Sequence, residues 1–596
     1  MTEKTELDTH LNRRRFIQKM SAGVFVTSLG GLLPRPSWAD VVGKSLADLD
    51  IRRRYDLNIG YMPFILNGKK ESVKATAING TVPGPLLRLR EGDDVELNVT
   101  NSLMDTKHSS IHWHGLIVPY NMDGVPGVSF KGIPPGETFK YRFKLQQAGT
   151  YWYHSHSGFQ EQTGTYGPLV IEPRQKEPFK YDRDYTVLLS DWTSDGPDAA
   201  FRNVTMDDGY YNFQQRTVFD FVRDAKERGL KSTVADRLAW GKMRMSPVDL
   251  ADVTGFEYTY LMNGNSPESN WTALFNPGET VRLRFINGAG MSTFDVRIPG
   301  LDMKVVMVDG KQVKPVDIHE FRISVAETYD VLVTPKKDQP FTIFAESLDR
   351  SGYARGTLSP QEGLMAEIPK LRPRPVRTLE DIGMGGMDEM MLGGKMDHGS
   401  MGQGKMDSKA PSQMTPDIPG PIGPEPFKPE KGINPAMIIM NPRDRASEPG
   451  IGLGEDGWKV LTYGDLVNAE PQLYSSKVDR EMTINITGNM ERYIFSFDGK
   501  KYSQHPGPYN FRHNERLRLW LVNHTMMEHP IHLHGMWMQI ENGQPHERIP
   551  YKHTVLVKPG EKISTLITPI EKGDWAFHCH LLYHMEAGMF QVVRVS

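Results

Sequence analysis

The sequence predicts an all-β protein of three β-sandwich units of Greek-key type, from short runs of alternating apolar and polar residues, a phrase that recurs three times, and one break in composition. In the first unit, residues 45–175, Val95-Glu96-Leu97-Asn98-Val99 and Tyr141-Arg142-Phe143-Lys144-Leu145 alternate with period two, the strand signature. Val281-Arg282-Leu283-Arg284-Phe285 is the clearest strand of the second unit, residues 180–370. The third unit, residues 460–596, carries Leu517-Arg518-Leu519-Trp520-Leu521-Val522 and ends in Phe590-Gln591-Val592-Val593-Arg594-Val595. Each unit repeats a turn leading into a strand: Arg90-Glu91-Gly92-Asp93-Asp94-Val95, Asn276-Pro277-Gly278-Glu279-Thr280-Val281 and His513-Asn514-Glu515-Arg516-Leu517. A chain of 596 residues needs more than one core, as three units supply.

Two segments depart from the pattern. Residues 211–242 hold a helix-like run around Val218 to Arg228 and are expected to be an insertion in the second unit. Residues 371–455 turn to Pro, Gly and Met without periodicity, so they are expected to form a long Met-rich linker between the second and third units.

Residues 1–39 read as an export signal: Arg13-Arg14-Arg15-Phe16-Ile17, an uncharged stretch from Met20 to Leu33, then Ser37-Trp38-Ala39 as a small-residue cleavage pattern. The paired arginines resemble the twin-arginine type, an address and not an anchor, which places the protein in the periplasm. The uncharged stretch is too short to span a bilayer, which takes about 20 residues, so no stable membrane anchor is expected. The whole chain has a charge of −3 and no basic stripe, which gives no electrostatic case for nucleic acid. A monomer is expected.

The single cysteine, Cys579, has no internal disulfide partner, although an exported protein meets oxidising conditions. An idle thiol is a hazard there, so the cysteine is expected to be occupied.

Four segments pair histidines across one residue: His112-Trp113-His114, His154-Ser155-His156, His532-Leu533-His534 and His578-Cys579-His580. With 19 histidines in the chain, chance gives about one such pair or fewer. Residues i and i+2 of a strand point to one face, so each segment presents two imidazoles together. A single pair reads more simply as ordinary hydrogen-bonded histidines, but that reading gives no reason for four pairs with one spacing. Eight imidazoles exceed the needs of one tetrahedral zinc. Cys579 faces away from His578 and His580 and must serve a different metal. His529, Cys579, His584 and Met589 make up the two-histidine, one-cysteine, axial-methionine set of a blue-copper site. Adjacency in the backbone then gives a short covalent path for electrons from the outer site to the inner one.

Written as His-Trp-His-Gly, His-Ser-His, His-Pro-Ile-His-Leu-His-Gly and His-Cys-His-x3-His-x4-Met, the segments resemble the four copper motifs of the multicopper oxidases. The likeness runs through all three units and includes Asn79-Gly80-Thr81-Val82-Pro83-Gly84-Pro85, similar to the start of the family's first cupredoxin domain. It implies three cupredoxin-like sandwiches and four copper ions. His112 and His532 would hold the type 2 copper. His114, His154, His156, His534, His578 and His580 would hold the type 3 pair, and His529, Cys579, His584 and Met589 the type 1 ion. The first and third units must then meet around one trinuclear cluster. The implied activity is one-electron oxidation of a reducing substrate coupled to four-electron reduction of O2 to water.

Protons need a carrier. Asp123 matches the family's acid near the type 2 copper, and Asp123-Gly124 is equally a turn dipeptide. Some relatives place a second acid directly after the last type 1 histidine; here Met585 fills that place and Glu586 follows as the candidate.

Eight methionines fall between residues 384 and 414: Met384, Met387, Met390, Met391, Met396, Met401, Met406 and Met414, with His398 among them. Thioethers select Cu(I), so this segment is a candidate for Cu(I) capture, the alternative being a low-complexity linker rich in methionine. With the export signal it resembles the periplasmic copper-resistance oxidases of bacteria, which implies Cu(I) as the substrate. A laccase-type phenol oxidase and a copper-sequestering protein are the competing readings.

Overall fold

The computed structural model describes residues 53–66, 72–385, 427, 438–439, 441–472 and 474–596. The export signal, and with it Met387, Met390, Met391, Met396, His398, Met401, Met406 and Met414, lies outside the described residues. Among the described residues no helix is long and apolar enough to cross a membrane.

The thrice-repeated phrase corresponds to a thrice-repeated topology of two facing sheets. In the first sandwich Arg53–Ile65 runs parallel to Asp94–Asn101, which pairs antiparallel with Thr138–Lys144. In the second, Arg183–Thr193 runs parallel to Val281–Asn287, which pairs antiparallel with Thr328–Val333. In the third, Arg480–Asn489 runs parallel to Leu517–Asn523, which pairs antiparallel with Lys562–Ile567. The facing sheets also share a parallel pair: Leu87–Arg90 with Tyr166–Glu172, Trp271–Leu274 with Tyr353–Ser359, and Tyr509–Phe511 with Phe590–Val595. These are three cupredoxin-like sandwiches.

Alternation gives each strand one apolar face. Val95, Leu97 and Val99 are fully buried in the first core, beside Trp113, Tyr141 and Tyr153. In Val281–Asn287 the other face is buried as well: Arg284 meets the first sandwich by donating to Thr150, Arg282 is covered by Glu177, Phe179 and Tyr181 of the connecting segment, and the two arginines share Asp330. Burying guanidinium groups is tolerable here because carboxylates pair them.

The insertion contains the expected helix, Val218–Arg228, opened by a capping box between Thr217 and Asp220. A second helix, Leu230–Met243, follows after Gly229, and Pro197–Met206 precedes both. The ends of the segment between the second and third sandwiches are fastened. Arg377 is buried, with its main chain bonded to Pro247, and Arg445 is buried against Asp381 and Pro559. Met384 is half-buried and packs on the main core.

Candidate metal centre

Strand pairing brings the histidine segments together. His112–His114 pairs antiparallel with Gly149–His154, setting His112 opposite His154. His529–Leu533 pairs antiparallel with Gly573–Cys579, setting His532 opposite His578 and Ile531 opposite Cys579. The two strand pairs, from the first and third sandwiches, abut: the rings of His112 and His534 lie 3.9 Å apart, as do those of His114 and His532. Three groups have ligand atoms within 4.8 Å of one another: His112, His114 and His532; His112, His156 and His534; His114, His154 and His580.

Neighbouring acceptors fix which nitrogen faces inward. Nδ1 of His112 donates to the Asp123 carbonyl (2.7 Å), His532 to the His553 carbonyl (2.6 Å) and His578 to the Cys579 carbonyl (3.0 Å). His534 donates to Asp123 Oδ2 (2.9 Å) and His154 to Glu161 Oε2 (2.6 Å). Nε2 is left without a partner on His112, His154, His156, His532 and His580. His114 is turned the other way, with Nε2 against His553 and Thr554 and with Nδ1 unpartnered. A buried polar atom without a partner costs about 1–3 kcal/mol, so six in one cage mark lone pairs arranged for a cation. Burial holds His114, His154, His156, His532, His534 and His580 well below the usual imidazole range, and holds His578 at about 4. Neutral imidazole is the metal-binding form.

The outer site is built on the opposite face of the same strand. Cys579 Sγ lies 3.5 Å from His529 Nδ1 and 3.9 Å from His584 Nδ1, and the two nitrogens are 3.2 Å apart. Both Nε2 atoms are engaged behind, on Thr525 Oγ1 (2.7 Å) and Asp252 Oδ2 (2.7 Å). Met589 is fully buried and brought back to the site by main-chain bonds to His584 and Cys579. Burial pushes the Cys579 thiol up, so a thiolate here needs a bound cation. The donor set of two imidazoles, one thiol and one thioether suits copper.

Asp123 lies both at a turn and beside the cage. It closes the short 3-10 turn Tyr120–Met122, and its side chain meets His534 and His112 from a fully buried position, with Oδ1 lacking a hydrogen bond. Glu586 is placed elsewhere: the helix Leu582–Glu586 carries it past His584 to an exposed position near Asp198. Among the described residues no hydrogen bond or ion pair joins it to a candidate ligand. The second acid that reaches the cage is Glu161, buried, with Oε1 lacking a hydrogen bond and its carboxyl pushed up by burial and then by Asp191.

Three cupredoxin sandwiches enclosing an eight-imidazole cage beside a buried thiol with two histidines define a copper-dependent oxidase of the multicopper type. The multicopper oxidase family matches at residues 60–176, 183–363 and 476–596, and the chain belongs to it. With that family come one type 1, one type 2 and two type 3 copper ions, with O2 and a reducing substrate as reactants. The chain is 48% identical to copper resistance protein A of Pseudomonas syringae pv. tomato over 99% of this chain and 100% of that protein. Identity is 47% to the Escherichia coli protein of the same name, over 98% and 99%. Among solved structures, Fet3p, a multicopper oxidase that functions in iron import, is similar with a TM-score of 0.60 at 20% identity, covering 91% of this chain and 90% of that one. A metallo-oxidase from Campylobacter jejuni is similar with a TM-score of 0.55 at 19% identity, covering 93% of each chain.

Proposed function

We propose that this oxidase draws its electrons from Cu(I) in the periplasm and so contributes to copper resistance. The observation that carries this reading is the shielding of His584, which is fully buried, stacked on Phe495 at 3.6 Å and closed behind by Asp252. A phenol cannot touch it. The cavity that Asp252 lines together with Met291, Met527, Glu528 and Leu581 has about 20 Å³, space for an ion or one water and far below the several hundred Å³ of an aromatic-substrate pocket. Asp252 also leaves Oδ1 unpartnered, and its charge with that of Asp208 adds to burial in pushing Asp249 up to about 8. A cation arriving at these carboxylates relieves their repulsion. The methionine-rich segment and the relatives named copper resistance protein A support the same substrate.

We assign His112 and His532 to type 2 copper, His114, His154, His156, His534, His578 and His580 to type 3, and His529, Cys579, His584 and Met589 to type 1. When bound, these ions accept single electrons and deliver four to dioxygen. The chain's own part is to hold His584 on Asp252 for arriving electrons, to orient each ligand nitrogen, and to carry protons on Asp123 and Glu161.

Steady-state O2 uptake tests the substrate, with Cu(I) or a phenol as donor in the presence of a Cu(II) chelator. Cu(I) should be turned over with the higher kcat/KM. Deleting residues 386–414 should raise the KM for Cu(I) and leave phenol kinetics alone; unchanged Cu(I) kinetics would remove the capture role. More than four coppers bound with little O2 uptake would instead favour sequestration.

A further inference from the structure

The second sandwich supplies none of the twelve candidate copper ligands, yet one of its hairpins reaches the cage. Strands Met303–Val308 and Lys311–Ile318 turn at Asp309-Gly310, both in the left-handed region (φ 47° and 76°). The tip is pressed into the first sandwich so closely that a Cβ on Gly310 would lie 2.2 Å from the Tyr151 hydroxyl, and one on Gly149 would lie 2.5 Å from Gly310. The Asp309 side chain is fully buried there and accepts from three amides. Oδ1 takes the Thr328 amide (3.0 Å), and Oδ2 takes the His553 amide (3.1 Å) and the Thr554 amide (3.3 Å) and forms an ion pair with Lys552 Nζ (3.2 Å). Lys552 is itself fully buried and held from the other side by Glu327 at 2.8 Å, which Tyr463 secures at 2.7 Å.

The segment gripped in this way orients ligands from both other sandwiches. The His553 carbonyl receives His532 Nδ1 at 2.6 Å, and the His553 ring receives His114 Nε2 at 3.2 Å. Thr554 Oγ1 lies 3.3 Å from each of the two ligand rings. Gly115 makes room for the His553 ring, since a Cβ there would lie 2.5 Å from it. The contact accounts for the reversed ring of His114, which presents Nδ1 to the cage.

We propose that Asp309 is a positioning residue for the trinuclear copper cluster: it fixes the Lys552-His553-Thr554 segment, which in turn aims His532 and His114. The claim rests on the ligand assignment above. Asp309→Asn keeps the size and tolerates the left-handed backbone but removes the charge and one acceptor. Groups that hold a ligand from behind change metal affinity about 10–100-fold, so type 2 copper should be stripped from the copper-loaded full chain at a correspondingly lower chelator concentration. Its EPR hyperfine splitting should shift, while the blue absorption of the type 1 site stays. A second variant, His553→Asn, retains the main-chain bond to His532 and removes the ring against His114, so it should change the type 3 absorption and spare type 2 retention. If Asp309→Asn yields no blue, folded protein, His553→Asn decides. The proposal falls if the folded variants show only a lower thermal midpoint, with type 2 splitting, type 3 absorption and chelator resistance like the wild type. A wild-type chain that never reaches four coppers would remove the ligand assignment itself; four coppers in the wild type with unchanged variants removes this proposal alone.

Discussion

Replacing Asp252 by Asn probes how electrons reach the outer copper. The carboxylate accepts from His584 Nε2 at 2.7 Å and from the Tyr493 hydroxyl at 3.1 Å, and all three side chains are buried. With the imidazole ring between them, the carboxylate and the ion held by His584 are separated by roughly 7 Å. At an effective dielectric constant of about 20, one unit of charge at that distance is worth about 2 kcal/mol, or about 100 mV for a one-electron couple. The negative charge favours the more positive oxidised ion, so its removal should raise the type 1 potential by about that amount. The same change removes an anionic group from the proposed arrival point of Cu(I), so the KM for Cu(I) should rise although the driving force to O2 falls. Redox titration of the blue band gives the first quantity, and O2 uptake against Cu(I) concentration gives the second. An unchanged potential would show that the His584–Asp252 contact carries no net charge toward the copper. An unchanged KM would show that Cu(I) arrives elsewhere.

Replacing Cys579 by Ser should abolish the blue absorption and leave the type 2 EPR signal, because the thiol belongs to the outer site alone; loss of both signals in folded protein contradicts the division of ligands. Glu161→Gln retains an acceptor for His154 Nδ1 and removes the carrier proton, so kcat for O2 reduction should fall about 100-fold or more with the KM for Cu(I) unchanged. Glu586→Gln should behave as wild type, and equal losses in the two variants would refute the assignment of Glu161. His524, buried against Phe427 with Nδ1 accepting from the Ile439 amide, is held at about 4 by burial. Its ordinary value is about 6.5, so its contribution is fully present above that pH and is lost as pH falls toward 4, about 3 kcal/mol in all. The apo protein's urea midpoint should drop over that range, less steeply in His524→Gln; identical slopes would exclude His524 as the cause.

The candidate ligand set was legible because it obeys the strand period. His112 and His114, or His578 and His580, share a face through their spacing alone, and Cys579 is separated from them by the same rule. The threefold topology was legible from the turns into Val95, Val281 and Leu517, the three strands that take the same central place in their sandwiches. Two kinds of residue were not. Glu161 sits in the loop after His156, where no period operates; its only sequence signal is a carboxylate five residues beyond a metal motif. His553 stands alone in Tyr551-Lys552-His553-Thr554 and acts through its carbonyl as much as its ring. The helix Leu230–Met243 was missed because its apolar residues form no single stripe: Ala239 and Trp240 are buried while Leu230 and Leu238 are exposed.

The unanticipated residues share a location, and that location explains why pattern reading stops short of them. Arg282 and Arg284 alternate with apolar residues as a half-exposed strand would, yet both are buried, because the face that would meet solvent in a single sandwich is covered here, by the first sandwich at Arg284 and by the connecting segment with Glu177, Phe179 and Tyr181 at Arg282. Lys552 and Asp309 are fully buried ions for the same reason, each supplied with partners from a different part of the chain. Period two reports which side of a strand is apolar, but not whether the polar side faces water or a neighbouring domain. A multicopper cluster formed between sandwiches therefore draws its ligands from the legible part of the sequence and the groups that aim them from the part whose meaning appears only when the domains pack. Stripping the polar partners from such an interface should disturb the metals before it disturbs the sandwiches, since each sandwich keeps its own apolar core.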